Sequence, residues 1–326
     1  MDLVPHRRLE LFGGRSHPRL TEQIAAELGV KLGEAHLREF ANGEVHCRFA
    51  SSVRGADVFI LQTHCFPVNY SIMEQLIMID AAKRASAKRI TAVCPYYGYS
   101  RQDRKATGRE PITAKLVADL LSVAGVDRVV SVDLHSGQIQ GFFDVPVDHL
   151  TAMPVLLEYL RQNDSRDVVM VSPDAGRVRV AERFSQQLGT DLAFVAKRRP
   201  RGSAQEVEAL NVVGEVEGRR CVVIDDMIDT AGTVCAAAEQ LFQHGATEVW
   251  AMATHPVLSD PAVERLAAAP IAKVVVTDTI PVPQEKLDQL EGKIEVLSVA
   301  GIIAHAIDAV FQDASVSEIF GGHNLS

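Results

Sequence analysis

Hydrophobic residues in this chain follow two alternating rhythms. Short, nearly continuous apolar runs cut off by glycine, proline or charge read as strands: Leu9–Phe12, Val58–Thr63, the run from Ile90, and the strand-to-loop stretch Asp127–His135 in the first half. Between them the spacing changes to the helical period. Leu20–Leu28 is closed by Gly29, Ser71–Arg84 carries Ile72, Leu76, Ile77 and Ile79, and Thr113–Ala124 sets Leu116, Val117, Leu120 and Leu121 on one face before Gly125. The second half repeats the alternation, with strands at Val168–Val171, Leu192–Val195, Cys221–Ile224, Val249–Met252 and Lys273–Thr277 and a final amphipathic helix at Ile302–Phe311. Strands alternating with helices predict an α/β fold with mostly parallel sheets. Asn42-Gly43, between two extended runs, predicts a tight hairpin.

The chain's 326 residues exceed what one hydrophobic core usually organises, so two domains are expected, residues 1–151 and 152–326. Five scattered cysteines form no Cys-x-x-Cys pair and sit in apolar contexts, which suits reduced core residues and a cytoplasmic location. The opening residues lack the apolar segment of a secretion signal, and no stretch is apolar enough for a membrane span. A net charge of −9 argues against nucleic acid as a partner, so an anionic ligand would need local basic clusters.

The chemistry concentrates where strands end. Cys221–Ile224 runs into Asp225, Asp226 and Asp229, then Thr230-Ala-Gly-Thr233, then a helix stopped by Gly245. Small residues and hydroxyls opening a helix let backbone N–H groups close on a phosphate, and carboxylates just upstream suit sugar hydroxyls. A solvated or metal-binding acidic loop is the plainer reading. The run from Ile90 delivers Arg101, Gln102, Asp103, Arg104 and Lys105 beyond its carboxyl end, either as ligand contacts or as a solvated charge run. The hairpin's Phe40, Asn42 and Glu44 offer a stacking face and hydrogen-bonding groups a purine could use, or only a turn. Asp133 and His135 would point the same way if their strand continued through them, as a metal pair or a structural one. Finally, Val93-Cys-Pro-Tyr-Tyr-Gly98 and Val171-Ser-Pro-Asp-Ala-Gly176 share V-x-P-x-x-G, and Val132-Asp133 answers Ile224-Asp225. The second copy is longer, and its excess fits Lys197–Asn211, whose first half reads as a mobile basic loop. Two related domains follow, with a boundary near Thr151.

Taken together, Asn42-Gly-Glu44, Pro95 to Lys105, Arg109-Glu-Pro-Ile-Thr113, Asp133-Leu-His135, Gln138 to Phe143, Lys197-Arg-Arg-Pro-Arg201, Asp225 to Thr233 and Ser315-Val-Ser317 resemble the ribose-phosphate pyrophosphokinase family, of the phosphate-dependent class I type. The resemblance spans nearly the whole chain and implies two phosphoribosyltransferase-like domains. It implies Mg2+-dependent transfer of the β,γ-diphosphoryl group of ATP to the anomeric hydroxyl of ribose 5-phosphate, giving phosphoribosyl pyrophosphate and AMP for nucleotide, histidine and tryptophan biosynthesis. On that resemblance Phe40, Asn42, Gly43, Glu44, Arg101, Gln102 and Asp103 meet ATP. His135 and Asp174, with Asp133, surround magnesium, and Lys197 and Arg199 close over the transferring group. Arg199, Asp225, Asp226, Asp229, Thr230, Ala231, Gly232 and Thr233 meet ribose 5-phosphate. Inorganic phosphate and ADP stand as candidate effectors, and a homohexamer is implied. Two features depart from the family pattern: Arg177 directly follows Gly176, with Val180 and Glu182 where arginines are usual, and Ala106-Thr-Gly108 is less basic than its counterparts. Two other classes remain open at this level: a silent subunit that binds the product, and a transferase that consumes it with a free base.

Overall fold

Two open sheets carry the strands, one in each of two units. The computed structural model describes residues 7–163, 167–198 and 209–316. In the first unit, β1 (Leu9–Gly13), α1 (Pro18–Leu28), β2 (Ala35–Glu39), β3 (Val45–Phe49), β4 (Asp57–Leu61), α2 (Val68–Arg84), β5 (Arg89–Cys94), α3 (Thr113–Ala124), β6 (Arg128–Val132) and β7 (Val147–Leu150) follow in order. Strands β1-β4-β5-β6-β7 form a parallel sheet, and β2 and β3 pair as a separate antiparallel hairpin. All five residues of β4 are buried, which is why its sequence is continuous rather than alternating. Fully burying side chains such as Phe12, Ile60 and Met78 contributes about 1.5–3 kcal/mol each. On α3 the buried face is Ala114, Val117, Ala118 and Leu121, whereas Leu116 and Leu120, expected beside them, lie exposed. One helix thus has two apolar stripes, and the sheet takes only one.

The second unit contains α4 (Met153–Gln162), β8 (Val168–Ser172), α5 (Val178–Leu188), β9 (Asp191–Arg198), β10 (Ala209–Val213), β11 (Arg220–Ile228), α6 (Gly232–Gln243), β12 (Glu248–Pro256), α7 (Ala262–Ala268), β13 (Lys273–Thr277), α8 (Gln284–Gln289) and β14 (Ile294–Leu297), after which the chain forms α9 (Ala300–Phe311). Its sheet runs β10-β9-β8-β11-β12-β13-β14, parallel except for β10. Chain order reverses between β8 and β11, the switch point at which open α/β sheets form a crevice beyond their carboxyl ends.

The two compact units are residues 1–151 together with the chain from Val299 onward, and residues 152–298. An uninterrupted second domain over 152–326 is therefore corrected: α9 leaves it and packs on α1 and β7 of the first unit. The reason lies in its buried face, Ile303, Ile307 and Val310, and in the charge beyond its end. Asp313 meets Arg7 at 2.7 Å and Arg89 at 2.7 Å, and both arginines also hold the buried carboxylate of Asp57, at 2.9 and 2.8 Å.

Candidate active site

The hairpin tip is built by its own backbone. Phe40 N–H donates to the Glu44 carbonyl (2.8 Å), Gly43 N–H to the Phe40 carbonyl (2.8 Å), and Gly43 has φ +87°, which favours glycine. Asn42 Oδ1 accepts from Glu44 N–H at 3.2 Å, so one of its polar atoms holds the turn. Phe40 is 43% exposed, with the Arg38 guanidinium 5.0 Å from its ring centroid and His46 edge-on at 5.8 Å.

Beyond β5, the loop carrying Arg101, Gln102 and Asp103 rests on a buried polar platform that the sequence pattern does not announce. Tyr96 N–H donates to Thr63 Oγ1 (3.2 Å), and Gly98 N–H donates to Nδ1 of His64 (3.1 Å). The other ring nitrogen of His64, Nε2, is 2.7 Å from Gln75 Oε1, which fixes Nε2 as the protonated one, and Gln75 Nε2 donates to the Ile60 carbonyl (3.2 Å). Burial holds the His64 pKa down, at about 4, with the Gln75 contact opposing the shift. Gln102 ties the loop to α3, its Oε1 accepting from Thr113 Oγ1 at 2.6 Å and its carbonyl accepting from Ala114 N–H at 3.2 Å. The Ala106-Thr-Gly108 stretch folds round Glu110, which accepts from the N–H groups of Thr107 and Ala106 and is thereby held below the usual carboxylate range. Arg101 and Gln102 are exposed and Asp103 half-buried.

Strand β6 stops at Val132, so the alternation that would align Asp133 with His135 does not apply. Asp133 takes φ +38°, Leu134 N–H donates to His149 Nε2 (2.8 Å) in place of a ladder bond, and both candidate side chains are half-buried. Among the described residues no group of three or more His, Cys, Asp or Glu side chains could hold a metal ion. Asp174 belongs to the other unit, where its Oδ1 accepts from the N–H groups of Gly176 (2.7 Å) and Arg177 (3.2 Å). The carboxylates of Asp133 and Asp174 are the hard oxygen donors that magnesium takes alongside water and substrate phosphates.

In the second unit, Asp174 follows β8 and the acidic run ends β11, so the two flank the switch point. Strand β11 extends further than expected. Asp225 and Asp226 lie on it rather than in a loop, because β12 is equally long and pairs with it as far as Ile228↔Pro256. Asp225 Oδ1 accepts from Asp226 N–H (2.8 Å), and burial together with the Asp226 charge raises the Asp225 pKa, against which the Arg177 charge acts. Asp229 is half-buried and Thr230 exposed, and Arg265 Nη1 donates to the Thr230 carbonyl at 3.0 Å. Ala231 is the N-cap of α6 with φ +59°, in the left-handed region, and no side chain caps the helix. The amides of Gly232 and Thr233 therefore open a helix N-terminus suited to an anion. The side chain of Lys197, on β9, and all of Arg199 lie outside the described residues. His64 and Arg265 carry no motif of their own, whereas Arg177 already stands out in the sequence as the residue directly after Gly176.

A strand-to-helix turn with paired acids and a free helix start, at the switch point of one parallel sheet and accompanied by a second parallel α/β unit, defines the class: a phosphoribosyl-handling α/β enzyme. Family models narrow it. Residues 9–125 match the N-terminal domain of ribose phosphate pyrophosphokinase, and residues 189–321 match the phosphoribosyl synthetase-associated domain. The chain is 53% identical over 316 residues to the ribose-phosphate pyrophosphokinase of Streptomyces avermitilis, covering 96% of each, and 55% identical over 320 residues to that of Bifidobacterium longum, covering 97% of this chain and 93% of the relative. The crystal structure of phosphoribosylpyrophosphate synthetase from Mycobacterium smegmatis superposes with a TM-score of 0.88 at 51% identity, over 94% of this chain and 100% of that one. The chain belongs to the ribose-phosphate pyrophosphokinase family and is an enzyme of that type.

Proposed function

We propose that this chain transfers the β,γ-diphosphoryl group of ATP to the anomeric hydroxyl of ribose 5-phosphate, with the residues in the following roles. The anomeric oxygen forms a bond to Pβ, the bond from Pβ to the oxygen bridging it to the α-phosphate breaks, the anomeric proton is lost, and AMP leaves. Such a transfer needs little covalent chemistry from the protein, so positioning and charge stabilisation carry it. The observation that carries the assignment is the turn at the end of β11: two adjacent carboxylates and an uncapped helix start within one short segment. Asp225, Asp226 and Asp229 hold the ribose hydroxyls, and Thr230, Ala231, Gly232 and Thr233 take the 5-phosphate. Phe40 stacks on adenine, with Asn42, Gly43 and Glu44 beside it, and Arg101, Gln102 and Asp103 meet the rest of the nucleotide. Lys197 and Arg199 clamp the transferring group. Loss of one preorganised contact of this kind lowers turnover on the order of 10²–10³-fold.

His135 and Asp133 in the first unit and Asp174 in the second are each candidate contacts for Mg2+, which when bound would neutralise charge on the ATP phosphates. Among the described residues no helix is long and apolar enough to cross a membrane, and we place the enzyme in the cytoplasm on its reduced, core-type cysteines. We infer a homohexamer from the family, with the exposed apolar residues of α3 as the candidate contact between copies. Inorganic phosphate and ADP are the effectors to test.

Phosphorus NMR and nucleotide chromatography of the protein with ribose 5-phosphate and Mg-ATP, with and without inorganic phosphate, test the reaction. AMP is expected in step with a new sugar diphosphate. ADP in its place would mean monophosphoryl transfer and sink the reading, and ATP binding without turnover would mark a silent subunit.

A further inference from the structure

Arg177 sits where a helix least favours it. It is the N-cap of α5, a position that selects small side-chain acceptors and is disfavoured for a cation by the helix dipole, and it makes no side-chain cap. Something else must offset that local cost. The side chain is only 16% exposed and reaches the end of β11, with Nη2 2.6 Å from Asp226 Oδ2 and Nε 3.5 Å from Asp225 Oδ1. One guanidinium thus spans both carboxylates of the acidic pair, which are themselves 8% and 19% exposed. Its own N–H donates to Asp174 Oδ1 at 3.2 Å, so the same residue ties the β8 loop to the β11 end across the switch point.

Two adjacent, mostly buried carboxylates repel each other, and they also repel an incoming sugar phosphate dianion. A cation lying across both removes the two obstacles together, and the planar fork of arginine fixes the carboxylate orientations in doing so. The geometry points to Arg177 as a positioning and specificity residue of the ribose 5-phosphate site, one that neutralises the Asp225–Asp226 pair and fixes the orientation in which the pair meets the ribose. This rests on the assignment of that pair to the sugar.

The test uses the full chain and three variants, Arg177→Met, Arg177→Lys and Asp226→Asn, with each substrate varied separately and melting temperature as a fold check. Arg177→Met is expected to raise KM for ribose 5-phosphate about tenfold while KM for ATP stays within about twofold, and Arg177→Lys is expected to recover only part of the loss, to about threefold, since it restores the charge but not the fork. An unchanged or lowered KM for the sugar in Arg177→Met overturns the inference, the lowered value by showing that Arg177 competes with ribose. So does a rise in both KM values that tracks a fall in melting temperature. Should Arg177→Met not fold, Arg177→Lys decides alone: about a threefold rise in the sugar KM is expected, and no change overturns the inference. Asp226→Asn separates the two levels of argument. If it leaves the sugar KM unaltered, the assignment of the pair to ribose falls; if it raises that KM while Arg177→Met does not, only the role of Arg177 falls.

Discussion

His64 shows how much one buried side chain can settle. Its ring is fully buried, Nε2 faces Gln75 Oε1 with Cys94 Sγ also within 3.8 Å, and the neutral ring protonated on Nε2 is the form that fits, since Nδ1 must accept from Gly98 N–H. The sign of its effect on stability follows. The unfolded chain takes up this proton near 6.5 and the folded chain only near 4, so between those values the unfolded state binds more protons and stability falls as pH falls. At about 1.4 kcal/mol per pH unit, the loss by pH 5 amounts to about 2 kcal/mol. Urea unfolding of the protein and of His64→Asn at pH 7 and pH 5 should show the gap between them narrowing by roughly that amount. A gap of equal size at both pH values would mean that the folded ring is protonated at pH 5. Nothing local in Gln-Thr-His-Cys marks His64 as special, because its partners Gln75 and Gly98 come from two other elements. The hairpin turn at Asn42-Gly43 was legible because hairpin chemistry is confined to neighbours in sequence.

At the scale of elements, the proposed site residues gather at strand-to-loop junctions, and strand ends are what pattern reading located least well. The close of β6 at Val132 and the extension of β11 to Ile228 both depend on the neighbouring strand, through Leu134 N–H meeting His149 in one case and the equally long β12 in the other. The loop after β5 yields a prediction about close packing. A Cβ on Gly98 would lie 2.8 Å from His64 Cβ, an atom that cannot swing aside, so Gly98→Ala must push the loop away from β4. Overpacking of this kind costs about 1–3 kcal/mol. Since the loop leads to Arg101, Gln102 and Asp103, KM for ATP should rise several-fold while KM for ribose 5-phosphate stays level, a split that steady-state kinetics reads directly. Equal effects on both substrates would detach this loop from the nucleotide.

For the whole molecule, α3 is the informative surface. Ile112, Leu116, Leu120 and Val123 are 37%, 54%, 41% and 78% exposed and recur at helical spacing, forming a second apolar stripe beside the one that packs on the sheet. Contiguous exposed apolar area of this kind marks association. Replacing Leu116 and Val123 together by glutamate should lower the mass measured by light scattering while leaving the circular dichroism of the chain intact. An unchanged assembly would remove α3 from the interface. The chain also closes on itself at this scale. Asp57, at the start of β4, gathers Arg7, Arg89 and, through them, Asp313 after α9, joining positions from the two ends of the sequence in one ion network. Periodicity found α9 but could not assign it to a unit.

The sequence by itself determined the alternation of strands and helices, the hairpin turn, the duplication of V-x-P-x-x-G and the strand-to-helix junction that runs from the acids at Asp225 to Thr233, and through their joint occurrence the family. These rest on spacing within a few residues, where backbone period and turn chemistry act directly. Only the tertiary structure decided that α9 returns to the first unit, that α3 has one stripe buried and one exposed, that His64 supports the loop after β5, and that Arg177 crosses from α5 to Asp225 and Asp226. Each of these is a contact between residues distant in the chain. Such contacts are chosen by which surfaces can be buried and which charges paired once the sheets have formed, and a local pattern carries no record of that choice.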